Sequence, residues 1–82
     1  MNIAEIQKDL IGSILLLKDF GKEESTCVIT GFKDEYLIEI FVLEENKFLV
    51  HGFTRVEFRR FLKKERIYGE GYFKAFYIEI ID

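Results

Sequence analysis

Cys27 and His51 are the only cysteine and histidine among the 82 residues, so they are the one pair that could act as nucleophile and base. A reactive thiolate needs a neighbouring base and positively charged surroundings. Cys27 instead alternates with Ile29 in an apolar stretch, and His51 alternates with Leu49 and Phe53, as core side chains do. We therefore expect a core cysteine and a structural histidine. The chain is predicted to have no catalytic residue and not to be an enzyme.

Carboxylates occur in pairs within predicted loops, not at the spacing of metal ligands. One cysteine and one histidine leave too few ligands for zinc, and no loop has the alternating oxygen ligands of a calcium site. The segment 69–71 (Gly-Glu-Gly) lacks the lysine and the helix start of a phosphate-binding loop, so it is predicted to be a turn. We predict no metal and no cofactor.

Positive charge is concentrated in one short segment. Residues 1–54 carry a net charge of −5, residues 55–66 carry +4, and residues 67–82 carry −2. The six cations of the middle segment are Arg55, Arg59, Arg60, Lys63, Lys64 and Arg66. On a helix, Arg55, Arg59, Lys63 and Arg66 share one face, which predicts a binding surface for an anionic partner. The alternative is a solvated helix face whose cations oppose the helix dipole.

Composition predicts one compact domain over residues 1–82. Hydrophobic residues make up 49% of the chain and aromatics 16%, which excludes a disordered protein. The net charge of −3 excludes a strongly basic nucleic-acid binder. A single cysteine and the lack of a signal-peptide pattern or membrane-length apolar run predict a cytoplasmic protein that does not enter a membrane. The absence of proline and tryptophan is typical of low-GC bacterial or phage genomes.

Two helices bracket a series of strands. Asn2 to Ile11 is predicted as a helix that Asn2 caps and that ends at Gly12. Thr54 and Glu57 form a capping box for a second helix ending near Arg66, with Phe58, Phe61 and Leu62 as its apolar stripe. The predicted strands are Thr26–Phe32, Tyr36–Leu43, Phe48–Phe53 and Tyr72–Ile81, and the connections include Gly21–Ser25, residues 33–35, residues 44–47 and a segment with Gly69 and Gly71.

The segment from Ser13 to Phe20 has two interpretations. Ile14 and Leu17 continue the spacing of the first helix, so one longer helix is possible. Gly12 disfavours a helix interior by about 0.8–1 kcal/mol, and the apolar run 14–17 suits a buried strand. We favour the strand, which gives the order α-β-β-β-β-α-β.

The predicted fold is α+β, a small, strongly curved antiparallel sheet of four to five strands with two helices packed on it. The stretch from Leu10 to Phe53 resembles SH3-like barrels of small bacterial and phage proteins. Glu39 is the one polar residue of the strand Tyr36–Leu43, so both faces of the sheet are predicted to require burial. Either the sheet closes into a barrel or another subunit covers it, and a homodimer is therefore one expectation.

These observations predict a small non-catalytic binding module that acts by protein–protein contact, an inhibitor or a regulatory or accessory protein of bacterial, phage or mobile-element origin. The alternative is a binder of nucleic acid or of a nucleotide-type anion through the basic helix 55–66.

Overall fold

The computed structural model describes residues 2–19, 22–70 and 75–82, which form two helices and six strands. In chain order these are α1 (Ile3–Leu10), β1 (Ile14–Asp19), β2 (Ser25–Asp34), β3 (Leu37–Val42), β4 (Lys47–Gly52), α2 (Arg55–Leu62), β5 (Ile67–Glu70) and β6 (Ala75–Ile80). The α+β class is confirmed.

The first helix ends where the sequence predicts. The side chain of Asn2 accepts a hydrogen bond from the Ala4 N–H at 2.9 Å and so caps α1. Gly12 has a φ of 92°, a value that a side chain disfavours, and its N–H donates to the Ile29 carbonyl at 2.8 Å. The chain therefore leaves the helix at Ile11, whose backbone is extended, and turns through Gly12 into β1, which confirms the favoured strand. Phe20 lies outside the described residues.

The start of α2 is confirmed but its end is not. The Thr54 hydroxyl accepts from the Glu57 N–H at 3.2 Å, and the Glu57 carboxylate accepts from the Thr54 N–H at 2.8 Å, which is the predicted capping box. The helix ends at Leu62, not near Arg66. Lys64 has a φ of 61°, which reverses the chain.

The reversal after Leu62 is a Schellman motif without glycine. The N–H of Lys64 donates to the Phe61 carbonyl at 2.9 Å, and the N–H of Glu65 donates to the Arg60 carbonyl at 3.1 Å. Glycine usually occupies the left-handed position, and the lysine there gave no sequence signal for the end of the helix.

Replacing Lys64 with glycine is expected to stabilise the protein. A left-handed residue with a side chain costs about 1 kcal/mol, part of which glycine loses again to its greater freedom in the unfolded chain. We expect the free energy of unfolding to rise by about 0.5–1 kcal/mol, measured by chemical denaturation. Lys63→Gly is the matched control, because Lys63 has an ordinary φ of −89° and should lose stability. Equal effects of the two substitutions would contradict this account.

The sheet is antiparallel throughout, with the strand order β4-β3-β2-β1-β6-β5. It has six strands, so the predicted count of four to five was too low. The additional strand is β5, a segment that is predicted as a connection because it contains Gly69. The predicted final strand begins at Tyr72, and its first three residues, like Gly71, lie outside the described residues.

The sheet is strongly curved, as predicted, but it is not a closed barrel. His51 in β4 and Phe76 in β6 have ring centroids 4.5 Å apart although three strands separate them in the sheet. Strands β4 and β5 are its two edges and do not pair with each other. The prediction of an SH3-like barrel was therefore wrong. The rings of Phe53, Phe58 and Phe61 fill the concave side between these edges in place of strand pairing.

One face of the sheet forms the core. Cross-strand partners share a face, so the register assigns the buried strand residues to one side, here called the concave face: Leu15, Leu17, Cys27, Ile29, Ile38, Ile40, Val42, Ile67, Phe76 and Ile78. Leu10 of α1 and the predicted stripe residues Phe58 and Phe61 of α2 are buried in the same cluster. Among the described residues, both helices thus pack on the concave face.

Candidate protein-binding surface

The opposite side of the sheet, here called the convex face, carries an apolar row that crosses the strands. Phe48 of β4 pairs with Phe41 of β3, Phe41 with Val28 of β2, and Val28 with Ile14 of β1. The N–H of Ile81 donates to the Ile14 carbonyl at 2.8 Å, which extends the row to the end of β6. Phe41 and Phe48 also contact edge to face, with centroids 5.0 Å apart. Five apolar side chains therefore form one line across the sheet.

None of the described side chains on the convex face reaches the burial of the core. The other members of this face include Leu16, Lys18, Thr26, Leu37, Glu39, Val50, Tyr68, Tyr77 and Glu79. Phe48 is 61% exposed, Val50 54% and Tyr68 68%. With Ile81 and Leu43, the exposed apolar area is on the order of 600 Å², the upper end for a typical monomer. The largest apolar patch on a monomer is often functional, so the convex face is a candidate interaction site.

A charged pair borders the apolar row on one side. The Glu39 carboxylate lies 3.0 Å from the Lys33 ammonium and accepts a hydrogen bond from the Thr30 hydroxyl at 3.0 Å. The hydrogen bonds from Lys33 and then from Thr30 hold the pKa of Glu39 below its usual value. The Glu39 carboxylate is therefore negatively charged, and the Lys33 ammonium balances its charge next to the apolar row.

A second charged pair borders the row near β5. Hydrogen bonds from Tyr77 and then from Arg66 hold the pKa of Glu79 below its usual value, and Glu79 in turn raises the pKa of Arg66. The rings of Tyr77 and Tyr68 are in contact at an angle of 50°, with centroids 5.0 Å apart. An apolar centre with a polar rim is the usual anatomy of a protein–protein interface.

The structure separates the six predicted anion-binding residues. Arg55, Arg59 and Arg60 are exposed on α2, and Lys63 is exposed at its C-cap. Lys64 lies in the chain reversal that follows. Arg66 is not on the helix and is ion-paired with Glu79 at the convex face. Of the four residues predicted to share one helical face, Arg55, Arg59 and Lys63 therefore remain together and Arg66 does not, and the role of this face in binding stays a prediction.

The structure does not bring Cys27 and His51 together. Cys27 pairs with Val42 and His51 pairs with Ile38, so the two are offset by four residues along β3, about 13 Å. Burial, followed by the nearby charges of Glu44 and Glu45, raises the pKa of the Cys27 thiol to about 11. The thiol is therefore protonated near neutral pH, and His51 packs against aromatic rings.

A small cleft opens at one end of the concave face. Its volume of about 110 Å³ is below the roughly 300 Å³ of a typical small-molecule site. It is lined by Leu17, Asp19, Lys22, Glu23, Ser25, Val42, Glu45, Lys47 and Leu49. The lining contains both acidic and basic side chains, so the cleft does not favour an anionic ligand over a cationic one.

Within residues 2–19, 22–70 and 75–82, no three histidine, cysteine or acidic side chains are grouped so that they could hold a metal ion. No helix in this described part of the chain has the length and apolar character needed to span a membrane.

Comparison of the chain with protein families, with curated proteins and with solved structures gives no match.

The residues that sequence reasoning missed are those of the convex row, above all Phe48, Phe41 and Val28. The sequence did predict that both faces of the sheet are apolar. The cross-strand register, which aligns these side chains, depends on the strand order and on the irregular pairing between β2 and β3.

Proposed function

We propose that this chain is a small, non-catalytic protein-binding module whose contact surface is the convex face. The observation that carries this proposal is the row of Phe48, Phe41, Val28, Ile14 and Ile81, which crosses the sheet on the side opposite both helices. Leaving so much apolar area in water is unfavourable by about 25 cal/mol per Å², so covering it stabilises a complex. The partner we propose is a folded protein with an apolar surface of matching shape.

The two charged pairs that border the row, Glu39–Lys33 and Glu79–Arg66, favour a protein partner rather than a charged ligand. Glu39 and Glu79 are each paired with a cation, so these two pairs add little net charge to the convex face, which also carries the exposed Lys18. An ionic ligand gains little from such a surface, whereas a protein can place polar groups at the rim and apolar groups at the centre. The single buried cysteine does not require an oxidising compartment, which is consistent with action in the cytoplasm.

The proposal predicts that a charge in the centre of the convex face abolishes partner binding. Val28 lies in an interior strand, so Val28→Lys places an ammonium within the row without altering a sheet edge. Tagged wild-type and variant proteins are produced in the source cells, and their intact complexes are measured by native mass spectrometry. We expect a stoichiometric protein partner with the wild type and at least tenfold less of it with Val28→Lys, since a misplaced buried charge costs more than about 1.4 kcal/mol.

Val56→Lys is the matched control, because Val56 is 64% exposed on α2 and lies away from the convex face. It should retain the partner, and circular dichroism should show that both variants are folded. Retention of the partner by Val28→Lys, or its loss only on Arg59→Glu with Lys63→Glu, would contradict the proposal. The second result would favour the basic residues of α2 as the binding surface.

A further inference from the structure

Strand β4 is an open edge of the sheet. Half of the peptide groups of β4 point away from β3 and therefore away from the sheet. The N–H of Phe53 donates to the Tyr36 carbonyl at 2.9 Å, which fixes the alternation of hydrogen bonds between β3 and β4. Leu49, like the alternate residues on either side of it, therefore faces β3. The peptide groups of Phe48 and Val50 point outward, where another strand can pair with them.

After Lys47 at its start, the side chains of β4 offer none of the usual protection of an edge strand. Sheet edges are commonly shielded by charged side chains, proline or short length. Between Lys47 and the end of β4 no lysine, arginine or acidic residue occurs, and Leu49 is 36% exposed although it lies on the concave face. The other edge, β5, has only four residues and follows Arg66. The two edges thus differ, and β4 is the one suited to pairing.

We infer that β4 pairs antiparallel with β4 of a second copy of this chain, about a two-fold axis next to Leu49. This inference goes beyond the proposed function, because it concerns the edge of the sheet and not its convex face. In this register Leu49 of one copy lies opposite Leu49 of the other, and Phe48 lies opposite Val50. Aromatic and β-branched residues are a favourable cross-strand pair, and each opposed residue lies on the same face as its partner.

Charge at the two ends of β4 identifies the occupant as a second copy. Glu44 and Glu45 precede the strand, and Arg55 and Arg59 follow it at the start of α2. Antiparallel pairing places the beginning of each strand beside the end of the other, so each acidic turn lies near the basic helix start of the other copy. The symmetry produces this attraction twice, which an unrelated extended peptide does not.

Glu44 of this turn is bound to β2, and Glu45 is ion-paired with Lys47 at 2.9 Å, so the two carboxylates and this one cation leave a net charge of −1 at this end of β4. The two carboxylate oxygens of Glu44 accept hydrogen bonds from the Thr26 N–H at 2.8 and 2.9 Å. These bonds hold the pKa of Glu44 below its usual value, so the turn is negatively charged at neutral pH. Pairing of the edges also joins the two convex faces, because the row that ends at Phe48 in one copy continues into the other.

The experiment measures the mass of the protein in solution by sedimentation equilibrium over a wide concentration range. We expect wild type to associate into a species of twice the 9.8 kDa chain mass. Leu49→Lys and Leu49→Glu each place like charges opposite each other at the two-fold axis, and each should raise the dissociation constant at least about tenfold. An equimolar mixture of the two variants should recover the dimer, because the opposed charges are then complementary.

If the dimer forms again in the mixture, both variants are folded, and the loss of the dimer in each variant alone is a loss of strand pairing. Tyr68→Lys, in the opposite edge strand β5, should dimerise like the wild type. A wild-type protein that is monomeric throughout, a dimer that resists both Leu49 substitutions, or variants that stay monomeric when mixed would each overturn the inference. These results leave the convex-face proposal untouched, since Val28→Lys is expected to lose the partner while it keeps the dimer.

Discussion

Replacing Phe61 with alanine is expected to lower the free energy of unfolding by about 3–5 kcal/mol. Phe61 is fully buried, and its ring lies 4.7 Å from that of Phe53 between the helix and the concave face. Its removal leaves a cavity at the point where α2 is fixed to the sheet. A domain of this length is stable by only about 4–12 kcal/mol, so the loss is a large part of the total. Urea unfolding followed by circular dichroism measures it.

Val56→Ala is the control for this loss. Val56 is in the same helix but is 64% exposed, so truncating it should change the free energy of unfolding by less than about 0.5 kcal/mol. If Phe61→Ala and Val56→Ala had similar effects, α2 would not be held to the sheet as described.

Replacing Gly69 with alanine is expected to destabilise the protein by about 1–3 kcal/mol. A methyl group at this position would collide with the ring of Phe76 and would lie 2.6 Å from a carboxylate oxygen of Glu57. Phe76 is buried and its ring contacts His51, so it cannot move aside without disturbing the core. Glu57 is held by the capping box of α2. Thermal and urea unfolding of the variant measure the effect.

Gly31→Ala is the matched control for Gly69. Gly31 is also in a strand, but a methyl group there meets no atom within 4 Å. Alanine is expected to be neutral or slightly stabilising at Gly31, because it reduces the freedom of the unfolded chain. A loss of stability at Gly31 equal to that at Gly69 would show that strand glycines matter here for backbone conformation and not for close packing.

Elements with local signals could be predicted from the sequence. Asn2 and Thr54 are caps whose side chains act on residues two or three positions away, and Gly12 meets a conformational demand at its own position. Because both partners of such an interaction are close in the sequence, the sequence alone predicts them. The end of α2 was missed because Lys64 adopts a conformation that usually requires glycine, and β5 was missed because four residues carry too little periodicity.

The candidate surface could be predicted only in part, because its geometry depends on distant residues. Alternation within a strand shows that both faces are apolar, but it does not say which strands are neighbours. Phe48, Phe41 and Val28 form a row only because β4, β3 and β2 are adjacent and in this register. Arg66 belonged to the predicted basic helix by spacing, yet its partner Glu79 is thirteen residues away in a strand.

Hydroxyl-radical footprinting of the intact complex tests most directly whether the convex face is the protein-contact surface. Phe41 lies on the convex face in β3, next to β4, Tyr68 lies on the same face at the far edge in β5, and Val56 on α2 reports the opposite side of the molecule. We predict that the partner lowers the oxidation of Phe41 and Tyr68 and leaves that of Val56 unchanged. Protection of α2 with unchanged oxidation of Phe41 and Tyr68 would contradict the account.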